Sequence, residues 1–493
     1  MTHDIKTRRQ FLKHLGGLLC AGGASAFMPQ LQLIGSATAA TRATVPGYRA
    51  LVCVYLAGGN DAYNTLIPYD TARHAAYVSA RGGVYHPNTN PQGLAIARDA
   101  LTSAVQITDS ATGAPYALNP GNANYPAAMA ELANLFRQNK LAFIANVGTL
   151  TRRITKDEYN ALPALRPPQL YSHNDQENLW HLGRTTNYAQ GWGGQVADRV
   201  RLDNLNQQLS PCISVYGGTN RFQVGLNTFP YHIDSSGVVP LSNIYNDPDN
   251  VGSQFGMQLD GALDRMLAQS YPSPFSSEYA GTFKRARAVY DLLYPALASA
   301  AGQITTEFPS NDLGEQLKMV ARMIRLSRDT SVNVQHKRQI YFVRLAGFDM
   351  HDKLMNGDTA GHAYLLNALS KSLSAFWQAM NEIGAQNEVT AFTMSEFART
   401  LSSNGNGSDH AWGGVQLVMG GAVNGGRIYG TYPELVLNGP MSLSRGQMIP
   451  TTSVDQMAAT LARWMGVTGT NDLRTIFPNL INFDTDNLGF MTA

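Results

Sequence analysis

The chain has 493 residues, more than one compact hydrophobic core usually holds, which fits either one large α/β domain with insertions or two domains. Its 37 Lys and Arg residues nearly balance its 35 Asp and Glu residues, and no basic run stands out along the sequence. This composition argues against nucleic acid as a partner, because a phosphate backbone is bound by clustered positive charge.

The first 39 residues are predicted to be a twin-arginine export signal. Arg8 and Arg9 stand in the run TRRQFLK, ahead of an apolar stretch at 15–27 and a tract of small residues at 35–40. This is the order of a secretory leader, and glycines make its apolar stretch too weak for a membrane span. We therefore expect no membrane span and a leader that binds the twin-arginine translocase. The mature protein would be exported in its folded state, to the periplasm or out of the cell.

Five short runs predict buried parallel strands, because they are apolar throughout rather than alternating. They span residues 50–56, 141–147, 340–345, 389–393 and 415–419. Amphipathic segments between them, at 122–138 and 361–383, predict helices. Strands separated by helices indicate an α/β fold with a doubly wound, mainly parallel sheet flanked by helices. In such sheets ligands bind beyond the carboxyl ends of the strands.

Residues 253–329 are predicted to form a helical insertion, or cap, beside the sheet, with the clearest helix at 313–328. The leader at 1–39 would then be followed by a single large α/β domain over 46–493. Cys20 would be removed with the leader, which leaves Cys53 and Cys212. Cys53 lies in an apolar run and predicts a buried free thiol, and a disulfide between the two stays open as the alternative.

Polar residues gather where the predicted strands end. Asn60 and Asp61 follow the first strand, and Asp349 and His351 follow the third. A carboxylate and an imidazole two residues apart in an extended segment point to the same side, and both are ligands for divalent metals.

Asp358 and His362 form a second Asp and His pair near the third strand. Its rival interpretation, of equal weight, is a helix N-cap followed by a solvated histidine.

Two further clusters follow other predicted strands. Ser172 and His173 open a predicted helix, where a hydroxyl suits an oxyanion or phosphate. An ordinary N-cap is the favoured alternative for that serine. Glu396 comes just after the fourth strand, where it either joins a site or pairs with Arg399.

Asp409 and His410 lie in a loop that is followed by glycines, which lets the imidazole approach a ligand closely. Together these strand-end clusters predict one shared site. The sequence lacks a Gly-x-Ser-x-Gly elbow, a His-Glu-x-x-His motif, a Walker loop and a Gly-x-Gly-x-x-Gly motif after a strand. Serine esterases, zincin proteases, P-loop enzymes and dinucleotide oxidoreductases are thereby disfavoured.

The segments that carry these residues resemble the DUF1501 family of secreted proteins. The matching motifs are LAGGNDAYNTLIP at 56–68, GFDMHDKL at 347–354, MSEFART at 394–400, SDHAWGG at 408–414 and TTSVDQMAATLARWMGV at 451–467. They are spread over nearly the whole mature chain. That family more distantly resembles the alkaline phosphatase and sulfatase superfamily, whose members share an α/β core and a metal site, usually with two ions.

Carried over by position, the resemblance implies that Asp61 binds one metal ion and that Ser172 is the nucleophile. It implies that Asp349, His351 and His410 bind the other ion. The cofactor would be one or two divalent ions, with zinc, manganese, magnesium and calcium all open.

Glu396 would stand where the superfamily has an Asp-His pair, so the resemblance implies a site poorer in nitrogen ligands. Such a site would favour manganese, magnesium or calcium over zinc, or hold one ion or none. The further candidates for the site are Asn60, His173, His362, Arg399 and Asp409.

The activity that the resemblance implies is hydrolysis of phosphate or sulfate esters by an exported metal-dependent enzyme with a serine nucleophile. Its ligand would be a small anionic ester. The alternative is a non-catalytic exported protein that keeps the fold to bind a ligand, such as a polysaccharide. Aromatic residues near the site would then stack on sugar rings, unless they are buried in the core. These aromatic residues are Tyr171, Trp180, Trp192 and Trp412.

Overall fold

The computed structural model describes residues 46–183, 190–218, 220–238, 254–355 and 361–492, without the side chains of 254–260. The predicted leader and Asp358 lie outside the described residues. Pro46–Ala493 forms one compact unit. None of the described helices is both long and apolar enough to cross a membrane.

The described chain contains both strands and helices. The strands are β1 (Arg49–Ala57), β2 (Leu66–Pro68), β3 (Gln106–Thr108), β4 (Pro115–Leu118), β5 (Leu141–Gly148), β6 (Cys212–Ser214), β7 (Tyr231–His232), β8 (Arg338–Ala346), β9 (Val389–Met394), β10 (Arg399–Ser403), β11 (Ser408–His410), β12 (Gly414–Gly420), β13 (Ile428–Tyr429) and β14 (Thr452–Ser453). The helices are α1 (Ala62–Thr65), α2 (Thr71–Ala80), α3 (Ala130–Arg137), α4 (Lys156–Ala161), α5 (His173–Leu182), α6 (Trp192–Val200), α7 (Gln254–Ala268), α8 (Pro274–Ala298), α9 (Asp312–Arg328), α10 (His362–Glu382), α11 (Val454–Met465) and α12 (Thr470–Ile476).

A mainly parallel sheet forms the centre of the fold. Its strands run in the order β13-β5-β12-β9-β1-β8-β6-β7, and β14 also pairs with β5. The central strand β1 pairs in parallel with β8 on one side and with β9 on the other. The predicted α/β fold with a mainly parallel sheet is confirmed, and each of the five predicted strands is present.

One of the predicted strands has the wrong direction. β12 covers the run at 415–419, but it is antiparallel to both of its neighbours, β5 and β9. The chain between β9 and β12 contains only the antiparallel pair β10 and β11. A parallel return would need a longer crossover, usually a helix, and the chain has none at this point.

Helices cover both faces of the sheet, which explains why the strands are apolar throughout. Successive residues of β1 enter different cores. Val52 and Val54 pack in one hydrophobic cluster with α9 and α10, whereas Leu51, Cys53 and Tyr55 pack in another with α6 and α11. β1 is thus buried on both sides.

The predicted helices are present with different bounds. The helix predicted at 122–138 is limited to α3, because Pro126 and then Ala127, with φ +53°, interrupt the backbone before it. The helix predicted at 361–383 is confirmed as α10. α9 confirms the helix predicted at 313–328 and packs on β8 and α10, so it belongs to the layer that covers the sheet.

Both cysteines of the described chain are buried and free. Cys53 lies in β1 and Cys212 lies in β6, and β8 separates these two strands. Burial raises the pKa of each thiol. The prediction of a buried free thiol at Cys53 therefore agrees with the structure, and the alternative of a disulfide does not.

The backbone after β1 passes very close to the segment that follows β8. Gly58 has φ +120°, a conformation that L side chains rarely adopt, and an added Cβ would overlap the backbone nitrogen of Asp349. Gly405 has nearly the same φ, +117°, but an added Cβ there meets nothing within 4 Å. A side chain would meet the same backbone strain at both glycines, but only at Gly58 would it also overlap another segment of the chain.

We expect Gly58→Ala to lower the free energy of unfolding by roughly 1–3 kcal/mol more than Gly405→Ala does, because overpacking is added to the shared strain. Urea denaturation of the two variants measures the difference. Equal destabilisation would contradict the close approach of the two strand ends.

His181 is a buried histidine surrounded by aromatic rings. Its ring lies 5.2 Å from that of Tyr55 and 5.7 Å from that of Phe342, between ring centroids. Desolvation, with a smaller contribution from Arg221, lowers the pKa of His181 to about 3. The folded protein therefore holds this imidazole neutral at pH values where an unfolded chain, with a pKa of about 6.5, would protonate it.

Because the unfolded state binds the extra proton, the free energy of unfolding should fall as the pH falls below about 6.5. Between pH 6 and pH 5, the free energy of unfolding should fall more steeply with pH in the wild type than in His181→Leu. We expect the two slopes to differ by about 1 kcal/mol per pH unit. Denaturant titrations at both pH values measure it. The exposed His232→Leu variant should keep the wild-type slope, and equal slopes in all three proteins would refute the interpretation.

Candidate functional site

Several strand ends bring polar side chains to one edge of the sheet. β1 and β8 are parallel neighbours, and β9 lies on the other side of β1, so their carboxyl ends share that edge. Asp349 and His351 follow β8, Glu396 follows β9, and His410 ends β11. His173 comes from the first residue of α5.

Three imidazoles face the carboxylate of Asp349. The Nε2 atoms of His351 and His410 lie 3.1 and 3.3 Å from its Oδ1 atom, and Nε2 of His173 lies 3.4 Å from Oδ2. The two Nε2 atoms of His351 and His410 are 2.9 Å apart. Ligand atoms of His173, Asp349 and His410 all lie within 4.8 Å of one another, which is close enough to hold one ion. We call His173, Asp349, His351 and His410 the metal cluster, as the name of a candidate site.

The other ring nitrogen of each imidazole is held by an oxygen acceptor. Nδ1 of His173 lies 2.8 Å from Glu396 Oε1, and Nδ1 of His351 lies 2.9 Å from Asp409 Oδ1. Nδ1 of His410 lies 2.8 Å from the carbonyl oxygen of Tyr171. Each Nδ1 is thus assigned as the donor to its acceptor, and Nε2 is the ring nitrogen that faces Asp349. Metal-binding histidines are oriented in the same way.

Glu396 contacts the metal cluster through His173. Its Oε1 atom accepts hydrogen bonds from Gly58 N and His173 Nδ1, each at 2.8 Å, and Oε2 accepts one from the Tyr55 hydroxyl at 3.1 Å. This carboxylate raises the pKa of His173, as an orienting carboxylate should. Glu396 is therefore placed to position a ligand, and its predicted role as a ligand stays a prediction.

His173 adds an imidazole to the site. The change at Glu396 was predicted to remove one expected imidazole, and His173 supplies one from α5. A set of imidazoles and one carboxylate suits zinc and other first-row transition ions better than magnesium or calcium. The predicted preference for harder ions stays a prediction.

Arg399 is the buried partner of Asp349. Its Nη1 atom donates to Asp349 Oδ1 at 2.9 Å and to the Gly58 carbonyl at 3.1 Å. Partial desolvation opposes ionisation of Asp349, but hydrogen bonding and the charge of Arg399 prevail and lower its pKa. The carboxylate is thus kept ionised, as a metal ligand must be.

Asp409 supports the site from its exposed side. It accepts from Asn404 Nδ2 at 3.0 Å and pairs with the guanidinium of Arg445, in addition to its contact with His351. Desolvation of Asp409 is outweighed by these hydrogen bonds, so its pKa is lowered. Burial, in contrast, lowers the pKa of His410.

Asp61 and Asn60 make their side-chain contacts apart from the metal cluster. The carboxylate of Asp61, predicted to bind a metal, is bound instead by Arg81 in a buried ion pair. Asn60 Oδ1 lies 2.9 Å from Nε2 of His362. That histidine is buried rather than solvated, and burial lowers its pKa to about 4.

Ser172 lies between Tyr171, whose carbonyl contacts the metal cluster, and His173, which belongs to that cluster. It occupies the N-cap position of α5, but its side chain makes no capping hydrogen bond to the helix backbone. Its hydroxyl donates to Asp175 Oδ2 at 2.6 Å. The predicted nucleophile is therefore next to the cluster, with its hydroxyl directed to a carboxylate of its own helix.

Sequence reasoning missed several contributors to the site. The carbonyl of Tyr171 and the hydroxyl of Tyr55 carry no local motif. Asn404 lies in a loop, and Arg445 lies in a short 3-10 helix. The aromatic platform predicted for sugars is also corrected, because the indole rings that were to form it are at most 1% exposed and belong to the core. These residues are Trp180, Trp192 and Trp412.

Residues 297–476 match the family described as DUF1501, a protein of unknown function. The match includes Asp349, His351, Glu396, Arg399 and His410. No curated protein matches the sequence.

The solved structures that are similar to most of this chain include the following three. The C-terminal periplasmic domain of EcEptC from Escherichia coli, in complex with Zn, has 9% identity and a TM-score of 0.34, with 86% of this chain and 84% of that one covered. The lipoteichoic acid synthase LtaP from Listeria monocytogenes has 8% identity and a TM-score of 0.32, with 88% and 76% covered. The PsFucS1 sulfatase from Pseudoalteromonas sp. has 8% identity and a TM-score of 0.30, with 94% and 74% covered.

If Glu396 positions His173, then Glu396→Gln should weaken zinc binding about 10–100-fold without changing the number of ions bound, because an orienting carboxylate is lost but no ligand. Competition with a chelating dye measures the dissociation constant. The exposed Glu434→Gln variant should bind as the wild type does. Complete loss of the ion in Glu396→Gln would instead identify Glu396 as a ligand.

Proposed function

We propose that this chain, whose residues 297–476 match the DUF1501 family, is a metal-dependent hydrolase of phosphate or sulfate esters. The observation that carries the proposal is the convergence of three imidazole Nε2 atoms on Asp349, each with its Nδ1 atom held by an acceptor. A structural cluster of polar residues has no need for three imidazoles whose Nε2 atoms converge on one carboxylate. A divalent ion provides the reason.

His173, Asp349, His351 and His410 would hold the ion. When bound there, it would polarise the ester and offset the negative charge that the ester carries. Arg399 fixes Asp349 in its ionised form, and Glu396 and Asp409 fix the rings of His173 and His351. The chain's own contribution is a set of ligands that is oriented before any ion arrives.

Ser172 is the proposed nucleophile. Its Oγ atom would form a bond to phosphorus or sulfur while the bond to the leaving oxygen breaks, and Asp175, at 2.6 Å, would accept the hydroxyl proton. Water would then hydrolyse the ester formed on the serine and restore the hydroxyl. The absence of a capping bond supports this role, because the hydroxyl is not used by the helix backbone.

The substrate would be a small anionic ester, met outside the cytoplasm. The predicted leader at 1–39 motivates this location, with export through the twin-arginine translocase. The polysaccharide-binding alternative has less support, since its indole rings lie in the core. An anionic sugar ester would still be a substrate of the hydrolase.

Zinc-loaded mature protein should hydrolyse aryl phosphate or aryl sulfate esters, and Ser172→Ala should lower kcat at least about 10³-fold, as loss of a nucleophile does. Release of the chromogenic alcohol measures turnover. Asp349→Ala and His410→Ala should be inactive because they lose the ion.

Ser331→Ala is the matched control, because the Ser331 hydroxyl also donates to a neighbouring carboxylate, Asp329, at 2.6 Å. It should retain full activity. A folded, zinc-loaded wild type without activity on either ester class would contradict the proposed function. Full activity of Ser172→Ala would contradict only the assignment of the nucleophile.

A further inference from the structure

A second arginine–carboxylate pair lies deeper in the protein than the metal cluster. Asp61, at the N-cap of α1, is 1% exposed, and Arg81, just after α2, is fully buried. Nη2 of Arg81 contacts Oδ2 of Asp61, and Nη1 lies 3.3 Å from Oδ1. The guanidinium therefore engages both oxygens of the carboxylate.

The pair adjoins the metal cluster through the backbone of β10. Nη1 of Arg81 also donates to the carbonyl of Thr400 at 3.2 Å. The preceding residue is Arg399, whose guanidinium binds Asp349. Arg399 and Thr400 are neighbours in β10. The buried guanidinium of Arg399 pairs with Asp349, and the buried guanidinium of Arg81, which contacts Thr400, pairs with Asp61.

The polar groups around Asp61 do not form a ligand set for an ion. Asn60 Oδ1 is used by His362 Nε2 at 2.9 Å, and Asn60 Nδ2 donates to Thr65 Oγ1 at 3.1 Å. Nδ1 of His362 and Nε of Arg81 are without a hydrogen-bond partner here, and of these two only the imidazole nitrogen could bind a metal ion. One nitrogen and one carboxylate that is already paired are too few ligands for a divalent ion.

An ion at Asp61 would also have to displace Arg81. The displaced guanidinium would remain charged in a part of the interior that solvent does not reach, because arginine does not lose its proton there. An uncompensated buried charge strongly destabilises a protein. The local electrostatics therefore oppose binding of a second ion.

We propose that Arg81 takes the place of a second metal ion at Asp61, so that each chain holds one divalent ion. This inference rests on the proposed metal-dependent function and makes it more specific. The hydrolase would operate with a single ion in the metal cluster, and the positive charge beside Asp61 would come permanently from the chain itself.

The test is the number of zinc ions bound per chain, measured by elemental analysis after equilibrium dialysis of the mature protein. Wild type should hold one equivalent and Asp349→Asn none. Asp349→Asn leaves the Asp61 and Arg81 pair intact. Two equivalents in the wild type, with one retained in Asp349→Asn, would overturn the inference without harming the proposed function.

The double variant Asp61→Asn with Arg81→Met provides a second measurement. It removes both charges together and leaves neither of them unpaired, so it should be more stable than either single variant. It should still hold one equivalent, with a dissociation constant within about threefold of wild type as for an independent site. Loss of one of two ions in this variant would overturn the inference.

If the double variant does not fold, the comparison of wild type with Asp349→Asn decides the question alone. No zinc in a folded wild type would refute the metal-dependent function, and this inference with it.

Discussion

The architecture of the site depends on one buried guanidinium. Arg399 donates to the carboxylate of Asp349, to the carbonyl of Gly58 at 3.1 Å and to the carbonyl of Ser408 at 2.5 Å. It thereby joins the segments that follow β8 and β1 to the start of β11. Because a guanidinium is planar and permanently charged, it fixes both the position and the ionisation of Asp349. The imidazoles then gather around a carboxylate that is already in place.

The parts of this arrangement that follow from local sequence were predictable. Apolar runs such as 50–56 encode strands that are buried on both faces, and parallel strands end at one edge of the sheet. That rule alone is enough to bring Asp349 and Glu396 near each other. His173 and His410 were candidates because each lies beside a strand or a helix start at this edge.

The remaining features depend on pairs of residues that no local pattern connects. An aspartate after the first strand is equally suited to a metal ion and to a guanidinium, and only the folded chain shows that Arg81 is its partner. Similarly, Glu396 stands where a ligand was expected, but His173 comes between it and the metal cluster. The direction of β12 could not be predicted for another reason, because an apolar run has the same composition whether its strand is parallel or antiparallel to its neighbours.

The two free thiols bear on whether the protein can fold before it is transported. Cys53 and Cys212 form no cross-link, so the described fold is maintained by noncovalent contacts on both faces of the sheet. Its completion does not depend on the redox potential of the surrounding compartment. The chain can therefore reach its native state in a reducing cytoplasm, before any transport, which is the order of events that the predicted twin-arginine leader would require.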